Sequence, residues 1–177
     1  MIKDLKFIHF LTISSIIEMF ILFLFKFTNQ TSYAIVNWYH NLGWTAVILD
    51  ILSFMIGFYL AKFIYEYLTN QKYISRKNEF IKFLGILLMI QILHDFLFYF
   101  FVIKPSPKNI NKVIDEFKEY ANHYGTQAVI ADSLMYIASA PILYYFIKNQ
   151  KQSTNTFITI VSFYIVGYLL YQKPKFN

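Results

Sequence analysis

Residues 80–103 read FIKFLGILLMIQILHDFLFYFFVI, an apolar run with few polar interruptions. A helix needs about 20 such residues to cross the hydrocarbon core of a bilayer. The run stops at Lys104-Pro105-Ser106-Pro107, where two prolines end the helix. This stretch predicts a transmembrane helix, and it sets the fold class of the chain.

The composition of the whole chain also indicates a membrane protein. Of its 177 residues, 57% are apolar and 15% are charged, whereas a soluble domain carries roughly 25% charged residues. The hydrophobicity excludes a disordered chain, and the absence of cysteine excludes a disulfide scaffold. The net charge of +6 comes mostly from lysines between the apolar runs, where membrane helices commonly carry them. We expect the lipid bilayer as a partner and no nucleic acid.

Four more runs are long enough to be spans. They cover residues 7–25, 42–65, 127–147 and 156–171. Between two of them, the segment 108–124 places Ile110, Val113 and Phe117 at helical spacing and charged residues on the other side. That pattern predicts an amphipathic helix, which either lies at the membrane interface or forms a helical loop packed over the end of the bundle. We therefore predict an all-α transmembrane helical bundle with five spans, forming a single membrane domain over residues 1–177.

Five spans place the two termini on opposite sides of the membrane. Lysine and arginine are more frequent on the side of the N-terminus, and basic residues favour the cytoplasmic side. We therefore expect a cytoplasmic N-terminus. A glycosylation sequon, Asn29-Gln30-Thr31, falls on the other side.

The second and fourth spans contain nearly the same string. Residues 43–52 read GWTAVILDIL, and residues 125–134 read GTQAVIADSL, an offset of 82. The starts of the first and third spans also match, and continuing that register places Glu18 opposite Gln91. We predict two repeats and a fifth helix. Repeat one covers 7–68, repeat two covers 80–148 and includes the amphipathic segment, and the fifth helix covers 156–172. Each repeat has an even number of spans, so the two share one orientation in the membrane.

The repeated string places small residues along one face of each helix. Such a stripe lets membrane helices approach closely. We therefore expect the second and fourth spans to pack together about a pseudo-twofold axis, with Asp50 and Asp132 facing one another. The predicted helix-packing residues are Gly43, Ala46, Ser53, Gly57, Gly125, Ala128 and Ser139.

Acidic residues inside the spans lie at a common depth. Counted from the span ends facing away from the N-terminus, they sit roughly 8–12 Å below the same membrane surface. An acidic residue at the centre of a span costs about 2.5–3.5 kcal/mol to insert. The layer consists of Glu18, Asp50, Asp95 and Asp132, with Gln91 and His94 near the same level.

The layer has two interpretations. It lines a polar cavity that holds a cation or passes a proton, or it forms interhelical hydrogen bonds that fix the helix register. A divalent metal site stays open on these residues, because one histidine with carboxylates from separate helices is a loose pattern. No cofactor is expected. No nucleophile motif or phosphate-binding loop is present, which disfavours an enzyme.

The third and fourth spans resemble a known family. The strings HDFLFY at 94–99, VIKP at 102–105, DEFKEYA at 115–121 and IADSLM at 130–135 are similar to uncharacterised multi-pass membrane proteins of large DNA viruses of algae and protists. The resemblance covers residues 91–140. It implies a viral setting, either the inner membrane of the virion or a membrane of the infected cell. It implies no activity and carries over no functional residue.

Three functional hypotheses follow from these patterns. The first is a small channel or transporter for protons, cations or a small polar solute. The second is a structural membrane protein of a virion or assembly membrane, with a homo-oligomer or other membrane or capsid proteins as partners. The third is an intramembrane enzyme that modifies lipid.

Overall fold

A computed structural model describes residues 2–28 and 33–173, and within them the chain is helical with no strand. The seven helices are α1 (Phe7–Phe27), α2 (Tyr33–Leu42), α3 (Trp44–Asn70), α4 (Glu79–Phe98), α5 (Lys112–Tyr124), α6 (Thr126–Pro141) and α7 (Gln152–Tyr171). A π-helical stretch over Tyr99–Ile103 extends α4. A second one over Ile142–Phe146 extends α6 beyond Pro141, whose nitrogen cannot donate a hydrogen bond. The predicted sequon lies outside the described residues.

The five spans predicted from the sequence are confirmed. Within the described residues, five helical segments are long and apolar enough to cross a membrane, namely α1, α3, α4 extended to Ile103, α6 extended to Asn149, and α7. The spans are helical because hydrocarbon supplies no hydrogen-bond partner to an open backbone, so each segment must satisfy its own N–H and C=O groups. They are long because the hydrocarbon core is about 30 Å thick.

Contacts between helix ends show how the spans are directed. The start of α1 lies near the end of α3, where Lys62 Nζ donates to the Leu5 carbonyl at 2.5 Å. Side by side, α1 and α7 run parallel, since Thr12 Oγ1 lies 2.9 Å from Thr159 Oγ1 and Lys26 Nζ donates to the Leu170 carbonyl at 3.3 Å. Consecutive spans therefore alternate in direction.

Helix α1 lies at the centre of the bundle. Half of its span is buried by other helices, the largest share among the five. On one side it packs against α3, with the rings of Phe10 and Phe58 stacked at 6.1 Å. On the other it contacts α7 through Thr12 and Thr159. Polar side chains on α1 are therefore enclosed by protein rather than lipid.

The sequence predicted the amphipathic helix α5 but not its partner, α2. The two short helices pair at the end of the bundle opposite the N-terminus. The rings of Trp38 and Phe117 lie 4.7 Å apart. Asn41 Nδ2 donates to Glu116 Oε1 at 2.6 Å, and Lys112 Nζ donates to the Asn41 carbonyl at 2.6 Å. Part of the polar surface of α5 thus binds protein.

Gly43 and Gly125 each join a short helix to a long one in the same conformation. Their φ and ψ angles are 55° and −128° at Gly43, and 53° and −128° at Gly125. A positive φ of this kind favours glycine. A Cβ at either position would meet nothing within 4 Å, so the prediction that these glycines permit close helix packing was wrong. They turn the chain, and they do so at equivalent places in both repeats.

The other predicted packing residues divide into three groups. Ala46, Gly57 and Ser139 are buried, and Ala128 is half-buried. Ser53 is exposed, so the small-residue stripe does not continue through that position. The Tyr136 side chain reaches from α6 to Gly57 and lies directly against the glycine. Helix α3 packs mainly against α4 and α1, so the structure does not show the extended packing of the second span on the fourth that the small-residue stripe predicts.

We expect Gly57→Ala to lower the free energy of unfolding by about 1–3 kcal/mol, because the added methyl would overlap the Tyr136 hydroxyl. That ring is held between Phe54 and Phe58, at centroid distances of 4.6 and 5.2 Å, and cannot move away easily. Gly85→Ala on α4 is the matched control, since nothing lies within 4 Å of its Cβ. Unfolding in detergent measures both, and equal stability of the two variants would contradict the packing.

We expect single cysteines at Lys3 and Lys112 to react with a membrane-impermeant reagent from opposite sides of the membrane. Both lysines are exposed, and an odd number of spans separates them. The chain contains no cysteine, so each label reports one position. Labelling of both from the same side would rule out the five-span arrangement.

Candidate functional site

The first half of the candidate site lies where α2 folds back over the start of α3. The turn at Gly43 brings the last residues of α2 beside Asp50, one of the predicted acidic residues. Trp38 Nε1 donates to Asp50 Oδ2 at 2.9 Å, and the Tyr39 hydroxyl donates to the same oxygen at 3.3 Å. Two donors on one oxygen stabilise a negative charge on this carboxyl group.

Glu18 reaches the same place from α1. It is only 1% exposed, and neither carboxyl oxygen has a hydrogen-bond partner among the described residues. It interacts electrostatically with Asp50 and lies near the Tyr39 hydroxyl without a well-aligned hydrogen bond. Ser14, four residues earlier on the same face of α1, also has an unpartnered buried hydroxyl. Two unpartnered polar groups therefore lie one turn apart on the side of α1 that faces α3.

The Tyr39 hydroxyl can donate only one hydrogen bond, although two carboxyl groups, those of Glu18 and Asp50, lie near it. Burial, and after it the charges of Glu18 and Asp50, hold the pKa of the Tyr39 hydroxyl well above its usual value. The Tyr39 hydroxyl therefore stays protonated, and in the observed geometry it donates its hydrogen bond to Asp50. Two adjacent buried carboxylates cannot both be charged at low cost without further compensation. The pair consequently requires a proton or a cation of its own.

The register of the two predicted repeats places Gln91 at the position of Glu18. Gln91 is buried, and its side chain is fully engaged. Its Nε2 donates to Asp95 Oδ2 and to the Val129 carbonyl, and its Oε1 accepts from Ser133 Oγ at 2.7 Å. These bonds join α4 to α6. They leave no unpartnered polar atom on Gln91.

His94 lies at the edge of this network. Its Nδ1 is 3.3 Å from Asp95 Oδ1, and its ring stacks on Phe98 at 5.6 Å. The side chain is 55% exposed. The structure therefore places His94 on the outer surface of α4 and not among the enclosed groups of the layer.

Asp132 lines a cavity between α4, α5 and α6. The cavity has a volume of about 340 Å³, and Asp95 also contributes to its wall. Asp132 interacts most strongly with the charge of Asp95 and less strongly with that of Asp50. No described side chain donates a hydrogen bond to it.

Counting back from Gly43 and Gly125 along the two short helices keeps the offset of 82 residues, although the helices share no residue type at that offset, and identifies residues that the sequence did not single out. It places Trp38 opposite Tyr120 and Tyr39 opposite Ala121. Tyr120 lines the same cavity as Asp132, and burial followed by the charge of Asp132 raises the pKa of the Tyr120 hydroxyl. Counting back along the sequence from the repeated Asp identifies both pairs only if α2 is already known to be a helix.

The predicted layer residues thus form two groups, one in each repeat. Glu18 meets Asp50 in the first, and Asp95 meets Asp132 and Gln91 in the second. Asp50 and Asp132 lie within electrostatic range of one another, while each also has an acidic neighbour in its own repeat. Among residues 2–28 and 33–173, no group of three or more His, Cys, Asp or Glu side chains is arranged to hold a metal ion.

Comparisons with protein-family models, with curated proteins and with solved structures find no match to this chain.

We expect Trp38→Phe and Asp50→Ala to be coupled by about 1 kcal/mol in a double-mutant cycle, because each removes one end of the same hydrogen bond. Trp44→Phe is the control, since the Trp44 ring lies beside Gly167 on α7. Unfolding free energies in detergent give the coupling. Additive effects of Trp38→Phe and Asp50→Ala would show that the bond contributes no stability.

Proposed function

We propose that this integral membrane protein is a small channel or transporter that binds a proton or a small cation at Glu18 and Asp50 and passes it across the bilayer. The observation that carries the proposal is the carboxyl group of Glu18. It is enclosed by protein, adjacent to a second carboxyl group, and unpartnered among the described residues.

Repeat two supplies the comparison that favours a functional role over a structural one. A side chain that only fixes helix register is expected to satisfy its polar atoms with bonds to neighbouring helices. Gln91 does so at the position equivalent to Glu18. Glu18 places an ionisable group there and leaves it unsatisfied, an arrangement that costs stability unless a proton or cation is bound.

Other enclosed polar groups on α1 continue from the pair towards the N-terminal end of the bundle. His9, Thr12, Ser14 and Ser15 are all buried. Thr12 also meets Thr159 and the Asn155 carbonyl on α7. Hydroxyl and imidazole groups in such a series can relay a proton. This series supports movement of a proton more than movement of a hydrated ion, which needs a wider path.

The resemblance to viral membrane proteins suggests the setting. We propose a virion inner membrane or a membrane of the infected cell, with the N-terminus on the cytoplasmic side. If the acidic groups serve packing alone, the alternative is a structural protein of the same membrane, with itself or another membrane protein as partner.

We expect Glu18→Gln and Asp50→Asn each to reduce proton flux into liposomes at least tenfold, because an amide keeps the shape of the side chain but cannot exchange a proton at neutral pH. The flux is read with a pH-sensitive dye after a potassium diffusion potential is imposed. Exposed Glu119 on α5 provides the matched control, Glu119→Gln, with unchanged flux. Separate measurements of Na⁺ and K⁺ flux into liposomes under a gradient of the respective ion test the cation alternative.

The same variants distinguish a transport function from a purely structural role of the acidic groups. Removal of a buried charge relieves a desolvation cost, so both proteins should fold and be at least as stable as the parent. Unchanged proton and cation fluxes, together with raised thermal stability in both variants, would reject the transport function and favour the structural one.

A further inference from the structure

The cavity beside Asp132 is lined by acidic and apolar side chains. Apart from two carboxylates, its lining is largely aromatic and aliphatic, and no lysine, arginine or histidine of the described residues contributes to it. Its aromatic walls are Phe96, Phe98, Tyr99, Phe100, Phe117 and Tyr120. At about 340 Å³ it lies at the small end of the range in which protein pockets hold ligands, about 300–1,000 Å³.

The difference between the two repeats explains why this space exists. In repeat one, the side chain of Tyr39 lies against Asp50 and donates a hydrogen bond to it. The equivalent residue in repeat two is Ala121, which lines the cavity. Its methyl group neither fills the space beside Asp132 nor offers a proton. A ligand from outside can therefore take the place that a tyrosine ring takes in the other repeat.

The chemistry of the walls selects the ligand. A carboxylate with no protein donor attracts a cation, and the faces of aromatic rings attract alkylated ammonium groups in particular. A small metal ion is less suited, because it would need several further oxygen ligands. An anion or a phosphate would face two carboxylates with no cationic side chain to pair with.

We propose that this cavity binds a small free organic ammonium ion, with the cationic head at the Asp132 carboxylate and the alkyl groups against the rings of Phe117 and Tyr120. The site goes beyond the proposed proton function, which concerns Glu18 and Asp50. Binding here does not require that the protein move protons.

Equilibrium dialysis of the full chain in detergent against radiolabelled choline tests the proposal. We expect saturable binding. The neutral isostere 3,3-dimethyl-1-butanol, which has the same shape without the charge, should compete at least tenfold less well than tetramethylammonium. Equal competition by the isostere would overturn the proposal, because it would show that the cavity recognises only an apolar group.

Two variants locate the site. Asp132→Asn removes the charge and should weaken choline binding at least tenfold. Ala121→Tyr recreates the repeat-one arrangement and should abolish binding by filling the cavity. The matched controls are Glu119→Gln and Asn122→Tyr, both at exposed positions of α5, and both should bind like the parent. Parent-like binding by Asp132→Asn would overturn the proposal even if Ala121→Tyr failed to fold.

The same ammonium chemistry occurs in lipid headgroups, and a second arm distinguishes that source. Choline binding is measured in nanodiscs of phosphatidylglycerol and again in nanodiscs of phosphatidylcholine. Saturable binding in phosphatidylglycerol with no loss in phosphatidylcholine supports a free ligand. Loss of binding in phosphatidylcholine would show that the headgroup occupies the cavity and would overturn the free-ligand proposal. Glu18→Gln should bind choline normally, so failure of this proposal and failure of the proton function give different results.

Discussion

A carboxyl group enclosed in a membrane bundle has to find a donor, a proton or a cation, and this requirement organises the middle of the protein. Asp50 accepts hydrogen bonds from the indole of Trp38 and the hydroxyl of Tyr39. Asp95 accepts one from the amide of Gln91. Glu18 and Asp132 accept no well-aligned hydrogen bond from any described side chain. Because the low dielectric makes each such group costly, the two unsatisfied carboxyl groups mark where the protein departs from the most stable arrangement, and functional sites are where such departures are expected.

The predicted duplication gives the protein two similar acidic groups, which differ in how their carboxyl groups are satisfied. Both repeats fold a short helix back over a long one through a glycine with positive φ, so both place an aspartate beneath that short helix. Substitutions at equivalent positions then give the two halves different chemistry. Repeat one has Tyr39 and Glu18, which fill the space and add an ionisable group. Repeat two has Ala121 and Gln91, which leave a cavity and satisfy the polar atoms around it. One backbone arrangement thus supports an enclosed site and an open one.

The spans, the amphipathic helix α5 and the depth of the acidic residues were predictable from the sequence, because each depends on local length or spacing. A bilayer requires long apolar runs, and depth follows from counting along a helix of fixed rise. Helix α2 was not predictable in the same way, because its apolar and aromatic residues adjoin the second span with no charged face to set them apart. Gly43 was misassigned because a small residue on a helical stripe and a turn glycine look alike in a sequence. Which carboxyl groups come together depends on the packing of separate helices, which spacing along one helix does not fix.

The orientation of the repeats bears on how anything could cross the bilayer. Inverted repeats give a transporter equivalent routes from both sides, whereas parallel repeats place equivalent groups at the same depth near one surface. Here both acidic groups lie towards the end of the bundle where α2 and α5 pair. A route to the other side of the membrane needs further polar groups, and these are not present in both repeats. Helix α1 supplies them once, through His9, Thr12 and Ser14, and α7 lies parallel to it with Thr159 in contact. The fifth span therefore has a physical role in this arrangement, because it encloses the polar side of α1 that would otherwise face lipid.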